Sequence, residues 1–336
     1  EYIKLYNKHN SLRGEIMVFK LKGNDVIKEQ DIEVTESLIG IYGYNNSGKT
    51  TILKELDKVI DEENIKCIVN DGEYIRSLFI PTNRVIVRQA HTSSTPIKDI
   101  EEFLAYKKDS YNEFDLHLKV IRENMLGNSA VKQVIKNAIL YMFGEDYEFE
   151  FDRRQSDGVE NIINIYCSII WLFTWDKDIE DIKYDKLKQL LCDTSAVVMI
   201  DEIEAFLHVY VQSRMLQKFK EDFSKCSFVF TTHSPLLLSR YYNIRKFQLD
   251  NGILNEINAD LYYKDLDNIY EVYFNVEEFP KEAGEIINRL GDYICGEEYN
   301  RDVIVKDLEI LNEQYANVKA KYPGLVAKAE VKLGVE

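Results

Sequence analysis

Three short apolar runs along this chain each lead into a polar segment. Residues 38–42 precede a glycine-rich turn, residues 197–200 precede two carboxylates, and residues 228–230 precede two threonines and a histidine. Apolar runs of this length, bounded by turn residues, are typical of strands buried on both faces of a parallel sheet. The pattern therefore predicts an α/β fold in which polar groups follow the strand ends.

The remaining chain shows weaker strand patterns and clear helical periodicity. Further strands are predicted at 16–20, 65–69, 78–80, 147–151 and 246–249. Apolar residues recur at helical spacing in 114–125, 131–142 and 162–173, and a long helix is predicted over 203–223. A tail with helices near 281–295, 302–317 and 324–333 follows, and an acidic insert at 176–185 has no assigned role.

The turn at 43–50 reads Gly-Tyr-Asn-Asn-Ser-Gly-Lys-Thr, which is the P-loop pattern. Backbone N–H groups of such a loop surround a polyphosphate, and the following helix adds its positive N-terminal end. Lys49 is expected to reach the β- and γ-phosphates, and the Thr50 hydroxyl to bind Mg²⁺. The predicted nucleotide contacts are Gly43, Asn45, Asn46, Ser47, Gly48, Lys49, Thr50 and Thr51.

The other two apolar runs supply candidate catalytic groups. Asp201 is expected to hold the Mg²⁺ water shell, and Glu202 to polarise the attacking water. His233 is expected to form a hydrogen bond with the γ-phosphate, because neutral imidazole both donates and accepts. The alternative for each is structural: a solvated acidic turn after a buried strand, and a solvated histidine at a strand end.

A fourth segment, Ser156-Asp157-Gly158, opens an apolar helix. Ser156 or Asp157 is predicted to cap that helix, whose free N–H groups favour an anion. Ordinary turn chemistry explains the same three residues equally well.

In this order the four motifs resemble those of ABC-type ATPase heads, in the branch that includes SMC and RecF-like proteins. The chain looks most like the compact heads of OLD-family ATPases and of anti-phage ATPases from Septu and retron systems. Residues 201–208 match the Walker B pattern D-E-x-E-x-x-L-H of that branch, and residues 231–235 match T-T-H-S-P. Gln155, Asp157 and Val159 depart from the usual signature motif.

The resemblance covers residues 15–250 and implies an α/β head with a mixed β-sheet, a helical lobe and a helical tail. It divides the chain into four parts. Residues 1–96 form the first part of the ATPase core, residues 97–145 form the helical lobe, and residues 146–258 form the second part of the core. Residues 259–336 form a docking or oligomerisation tail. The separation of Lys49 from Ser156 leaves no room for long coiled-coil arms, which favours a compact lobe.

The resemblance also implies ATP and Mg²⁺ as cofactors, and a head-to-tail dimer in which Ser156, Asp157 and Gly158 act on the neighbouring copy's nucleotide. Gln89 is a candidate Q-loop residue and metal contact, and Arg13 a candidate adenine contact. The implied function is an ATPase that serves as sensor or scaffold of an anti-phage or DNA-repair complex with a separate effector. Two alternatives stay open: a slow ATP-dependent switch, and an ATP-dependent nuclease component acting on DNA. Asp265 and Asp267 match the short D-x-D pattern of a nuclease metal site, but no apolar strand precedes them, which argues against that role.

Composition narrows the class of protein. The 336 residues carry a net charge of −16, which disfavours non-specific binding of nucleic acid by the whole molecule. The five Cys contain no C-x-x-C pair, which is typical of reduced thiols in the cytoplasm. No apolar run approaches the length of a membrane span, and the five scattered His do not form a zinc motif.

Overall fold

The computed structural model describes residues 17–34, 38–44, 46–69, 75–82, 118, 120–153, 155–177, 179–239, 244–257, 280–296 and 299–334. The chain divides into two compact units, Glu1–Tyr263 and Lys264–Glu336. The P-loop, the Walker B segment, the histidine motif and the Ser-Asp-Gly segment all belong to the first unit.

A six-stranded sheet forms the centre of the described part of the first unit, in the order β4-β5-β6-β3-β7-β8. Its strands are β3 (Leu38–Tyr42), β4 (Ser77–Ile80), β5 (Ala196–Ile200), β6 (Cys226–Thr232), β7 (Ile244–Asp250) and β8 (Ile253–Glu256). All neighbours are parallel except β7 and β8, so the mixed sheet expected for an ABC-type head is confirmed.

One face of the sheet is covered by α1 (Lys49–Val69) and by an antiparallel pair, β1 (Met17–Leu21) and β2 (Gln30–Val34). Phe19 and Leu53 join Met199 in the buried cluster on this face. The hydrophobic pattern predicted the first strand of the pair but not β2.

The opposite face is covered by helices. These are α2 (Ser129–Phe143), α3 (Asp157–Thr174), α4 (Tyr184–Asp193), α5 (Val209–Asp222) and the short α6 (Pro235–Ser239). Side chains alternate along a strand, so Val198 and Ile200 belong to this cluster while Val197 and Met199 belong to the other. Burial on both faces explains the continuous apolar runs 38–42 in β3, 196–200 in β5 and 228–230 in β6.

Three local predictions were wrong, for identifiable reasons. Residues 65–69 continue α1, since extending an existing helix is easier than starting a new strand. Residues 147–150 have no regular structure; instead the rings of Phe149 and Phe151 pack edge to face, 4.7 Å apart. The strand predicted at 246–249 is confirmed as β7, and β8 follows it.

The third error concerns the helix predicted over 203–223, which begins only at Val209. Glu202 and Phe206 have positive φ angles of 44° and 65°, and such angles do not continue a right-handed helix. His208 instead caps α5, its Nδ1 accepting a hydrogen bond from the N–H of Tyr210 at 3.3 Å.

The acidic insert is attached to the helical side of the unit. Asn128 caps α2 through its Oδ1, and its Nδ2 donates to the carbonyl of Ile179 at 2.5 Å. Arg76 pairs with Asp176 at 2.9 Å. These contacts connect the insert to the start of α2 and to the residue before β4.

The second unit contains α7 (Lys281–Cys295), α8 (Arg301–Glu313), α9 (Ala316–Lys321) and α10 (Pro323–Leu333). Ile286, Leu290, Ile304 and Leu311 contribute to its core. The predicted helix 302–317 is divided into α8 and α9.

Asp265 and Asp267 lie outside the described residues, and the four-part division of the chain stays a prediction. Among the described residues, no helix is both long and apolar enough to cross a membrane.

Candidate nucleotide site

The P-loop connects β3 to α1, and two of its glycines have no room for a side chain. A Cβ at Gly43 would lie 2.8 Å from the carbonyl oxygen of Leu249, and one at Gly48 would lie 2.6 Å from Val26. Gly48 also has a φ of +98°, in the region that favours glycine. The glycines of the motif are therefore required by the shape of the turn.

The loop forms the floor of a pocket of about 670 Å³, a size suited to a small ligand. Residues 46–51, Asp201, Glu202 and His233 line it, together with Val26 from the turn before β2. Three motifs that are distant in sequence thus meet in one cavity, because the carboxyl ends of parallel strands share an edge of the sheet.

Lys49 is almost fully buried in this pocket. Its Nζ donates to the carbonyl oxygens of Gly43 and Tyr44, at 2.8 Å each. Burial lowers the pKa of Lys49, while the nearby carboxylates of Glu202 and Asp201 oppose that shift. The amine is therefore held inside the loop, next to negative charge.

Asp201 receives hydrogen bonds from hydroxyls on separate elements. Thr50 at the start of α1 donates to Oδ2 at 2.8 Å, and Thr231 of β6 donates to Oδ1 at 2.6 Å. Thr82, just beyond β4, also donates to Oδ2, at 3.0 Å. One carboxylate thereby joins the P-loop helix to the ends of two strands beside its own.

Glu202 follows in a left-handed conformation, with φ of 44°. Its N–H donates to the Thr231 hydroxyl at 2.7 Å. Its Oε1 lies 3.9 Å from Nε2 of His233, and both side chains are partly exposed to the pocket. A non-glycine residue in this conformation is strained and is often found at functional sites.

His233 is positioned through its backbone. Its N–H donates to Oε1 of Glu204 at 2.5 Å, and the next N–H, of Ser234, donates to the Thr232 hydroxyl at 2.9 Å. Burial raises the pKa of Glu204, and the hydrogen bond from the His233 N–H opposes that rise.

The Ser156-Asp157-Gly158 segment begins α3, as predicted, but is not part of the pocket lining within the described residues. Ser156 is the N-cap residue, yet no side-chain cap hydrogen bond forms, so the predicted cap was wrong. Gly158 packs closely on the loop after Walker B: a Cβ there would lie 2.7 Å from the carbonyl oxygen of Phe206. Asn161 donates to the Ala205 carbonyl at 2.7 Å.

Several predicted residues are therefore gathered and others are not. Asn46, Ser47, Gly48, Lys49, Thr50, Thr51, Asp201, Glu202 and His233 line one pocket, and Gly43 lies beneath it. Asn45, Gln89 and Arg13 lie outside the described residues.

The sequence motifs predicted no role for Thr82 or Glu204. Thr82 could have been found from its place after the apolar run 78–80. Neighbouring parallel strands end at the same edge of the sheet, so a residue after this run is expected near the residues after β5. Glu204 matched the D-E-x-E pattern, but its contact with His233 depends on the loop geometry.

The residues present fit a magnesium nucleotide. The hydroxyl of Ser47 is buried in the P-loop and has no hydrogen-bond partner among the described residues. The Thr50 hydroxyl and the Asp201 carboxylate offer the oxygen ligands that Mg²⁺ prefers. Bound ATP would supply the phosphoryl group, and Mg²⁺ would neutralise its charge.

The fold and this arrangement of motifs resemble those of ABC-type P-loop ATPase heads. Residues 187–239, which hold Walker B and the histidine motif, match the family described as "AAA domain, putative AbiEii toxin, Type IV TA system". The chain is related to the Retron Ec83 probable ATPase of Escherichia coli, with 23% identity over 176 residues. That match spans 46% of this chain and 32% of the relative, about a third of its length.

The chain is also similar to solved structures of ATP-binding cassettes. The ATP-binding subunit of an ABC transporter matches with 16% identity and a TM-score of 0.42, over 76% of this chain and 97% of that chain. A dimeric cassette bound to ADP and phosphate matches with 11% identity and a TM-score of 0.37, over 77% and 97%. With TM-scores below 0.5 these likenesses are coarse, and the roles of single residues depend on the contacts described above.

Proposed function

We propose that this chain binds ATP with Mg²⁺ in the pocket and hydrolyses it to ADP and phosphate. One observation carries the proposal: Asp201 contacts the P-loop residue Thr50, while Thr231 joins that same carboxylate to the N–H of Glu202. In the proposed roles Lys49 neutralises phosphate charge, Glu202 accepts a proton from the attacking water, and His233 contacts the γ-phosphate.

We further propose that two copies associate head to tail around two ATP molecules. Ser156 and Gly158 do not line the pocket of their own copy, and in this proposal they close over the nucleotide of the neighbouring copy. The N-terminal end of α3 supports this role, because free N–H groups at a helix start attract phosphate. Hydrolysis would then loosen the pair.

The biological role proposed is that of a sensor or scaffold subunit in an anti-phage complex with a separate effector protein. The names of the relatives support it: one is a retron ATPase and the matching family is described with toxin and toxin–antitoxin terms. Copurification of the native complex, followed by identification of its chains, tests this part; a complex that contains only this chain would contradict a separate effector.

A second candidate function is a slow ATP-dependent interaction switch. The missing side-chain cap at Ser156 and the unusual residues Gln155 and Asp157 favour it, since an imperfect signature would slow turnover while leaving ATP binding intact.

The experiment compares wild type with Glu202→Gln, which keeps the shape of the side chain and removes its charge. ATP binding, ATP turnover and molar mass by light scattering are measured for both. We expect the variant to bind ATP, lose turnover and accumulate as an ATP-bound dimer. Full turnover by the variant would contradict the role of Glu202. If the wild type binds ATP but hydrolyses almost none, with or without DNA, the result would favour the switch. In a separate assay, Mg²⁺- or Mn²⁺-dependent cleavage of plasmid DNA would favour a nuclease.

A further inference from the structure

Thr82 lies at the edge of the sheet where the magnesium site is proposed. It follows β4, the strand next to β5, and the two strands stay paired up to their ends. The N–H of Asp201 donates to the carbonyl oxygen of Ile80 at 2.9 Å. Thr82 lies two residues after Ile80, the last paired residue of β4. The contact between Asp201 and Ile80 therefore keeps Thr82 near Asp201.

The Thr82 hydroxyl and the Thr50 hydroxyl donate to the same atom. Oδ2 of Asp201 accepts from Thr50 at 2.8 Å and from Thr82 at 3.0 Å, while Oδ1 accepts from Thr231 at 2.6 Å. Thr50 belongs to the P-loop helix, and Thr82 follows β4, the edge strand directly beside the Walker B strand. Two hydroxyls from separate elements therefore converge on the oxygen that faces the P-loop threonine.

A hydroxyl that donates a hydrogen bond to a carboxylate keeps its oxygen lone pairs available to accept hydrogen bonds from other partners. Mg²⁺ binds oxygen ligands and usually keeps several of its waters in protein sites. Groups that contact those waters set metal affinity without being direct ligands. Thr82 has the chemistry and the position for this role.

We propose that Thr82 belongs to the magnesium site: its hydroxyl keeps donating a hydrogen bond to Asp201, and its oxygen accepts a hydrogen bond from a water on the cation. This inference depends on the proposed function, because it takes the magnesium nucleotide to bind beside Thr50. It assigns to Thr82, two residues after β4, the kind of metal-site contact that the sequence predicted at Gln89.

The test is a magnesium titration of nucleotide binding, with Thr82→Val and Thr82→Ser compared with wild type. Valine has nearly the shape of threonine but lacks the hydroxyl, whereas serine keeps it. Binding of a fluorescent ATP analogue is measured at increasing Mg²⁺ and also in excess EDTA. Losing a group in the second shell of a metal typically weakens affinity about 10–100-fold. We expect Thr82→Val to raise the Mg²⁺ midpoint about tenfold, with Thr82→Ser near wild type and binding in EDTA equal for all three.

The outcomes separate this inference from the proposed function. A Thr82→Val midpoint equal to wild type would overturn the role of Thr82 while leaving the ATP site intact. Equal loss of binding in EDTA and in Mg²⁺ would also overturn it, since that result indicates a structural role. A wild type that binds no nucleotide under any condition would overturn both proposals. Thermal melting of each variant shows whether it folds; if the valine variant does not, Thr82→Ala takes its place in the same titration.

Discussion

The backbone N–H of His233 donates a hydrogen bond to Glu204, with 2.5 Å between the nitrogen and Oε1. Glu204 belongs to the loop after Walker B and His233 to the turn after β6, so this contact joins two segments of the proposed catalytic site. Asn161 of α3 holds the same loop from its other side, through the carbonyl of Ala205. The loop thus connects the pocket to the helix whose start is proposed to serve the neighbouring copy.

Replacing Glu204 by alanine removes the acceptor for the His233 N–H, while glutamine keeps an oxygen at the same place. Because small displacements of a catalytic group can cost about 100-fold in rate, we expect Glu204→Ala to lower kcat about 10–100-fold with little change in KM. Glu204→Gln should recover most of that loss. Steady-state ATPase kinetics measure both. If Glu204 acts by positioning His233, Glu204→Ala combined with His233→Ala should be no slower than His233→Ala alone; additive losses would contradict the connection.

Glu204 also predicts a pH dependence of stability. Burial raises its pKa above the ordinary 4.5, so the neutral form is favoured in the folded protein. The stability that this group contributes is fully present below pH 4.5 and is lost as the pH rises through the folded pKa. Glu204→Gln cannot ionise and avoids that loss. We therefore expect the stability of the variant, relative to wild type, to increase from pH 4.5 upward in urea unfolding. A constant difference across the pH range would contradict this account.

Lys49→Ala should weaken nucleotide binding at least tenfold, because the variant lacks the ammonium that neutralises phosphate charge. Isothermal titration calorimetry with ATP and Mg²⁺ measures the affinity directly. Lys54→Ala provides a control with the same charge change, since Lys54 is exposed on the same helix. Equal affinities for Lys49→Ala and wild type would count against the P-loop assignment.

Gly158→Ala should destabilise the first unit by about 1–3 kcal/mol, the usual cost of forcing extra volume into a packed site. A Cβ there would lie 2.7 Å from the Phe206 carbonyl, and backbone atoms yield less readily than side chains. Gly127→Ala is the matched control, because nothing lies within 4 Å of its Cβ position. Urea unfolding compares the two variants. A Gly158→Ala variant as stable as the control would show that the loop moves freely.

Much of the core could be predicted from the sequence, because strands buried on both faces contain runs of consecutive apolar residues. The runs at 38–42, 197–200 and 228–230 therefore marked β3, β5 and β6 directly. Strand β2 was missed because it is short and polar at alternate positions, as burial on one face allows. The helix predicted after Walker B failed because residues 201–206 form turns, two of them at positive φ.

By itself the sequence determined the chemistry of each motif: a glycine-rich turn for phosphate, a pair of carboxylates, and a histidine at a strand end. The pattern of a single segment is local, so it identifies a strand and the group that follows it. Only the tertiary structure decided which groups meet, because sheet order places β4 and β6 on either side of β5. That order brings Thr82 and Thr231 to Asp201, and the turns after β5 bring Glu204 to His233.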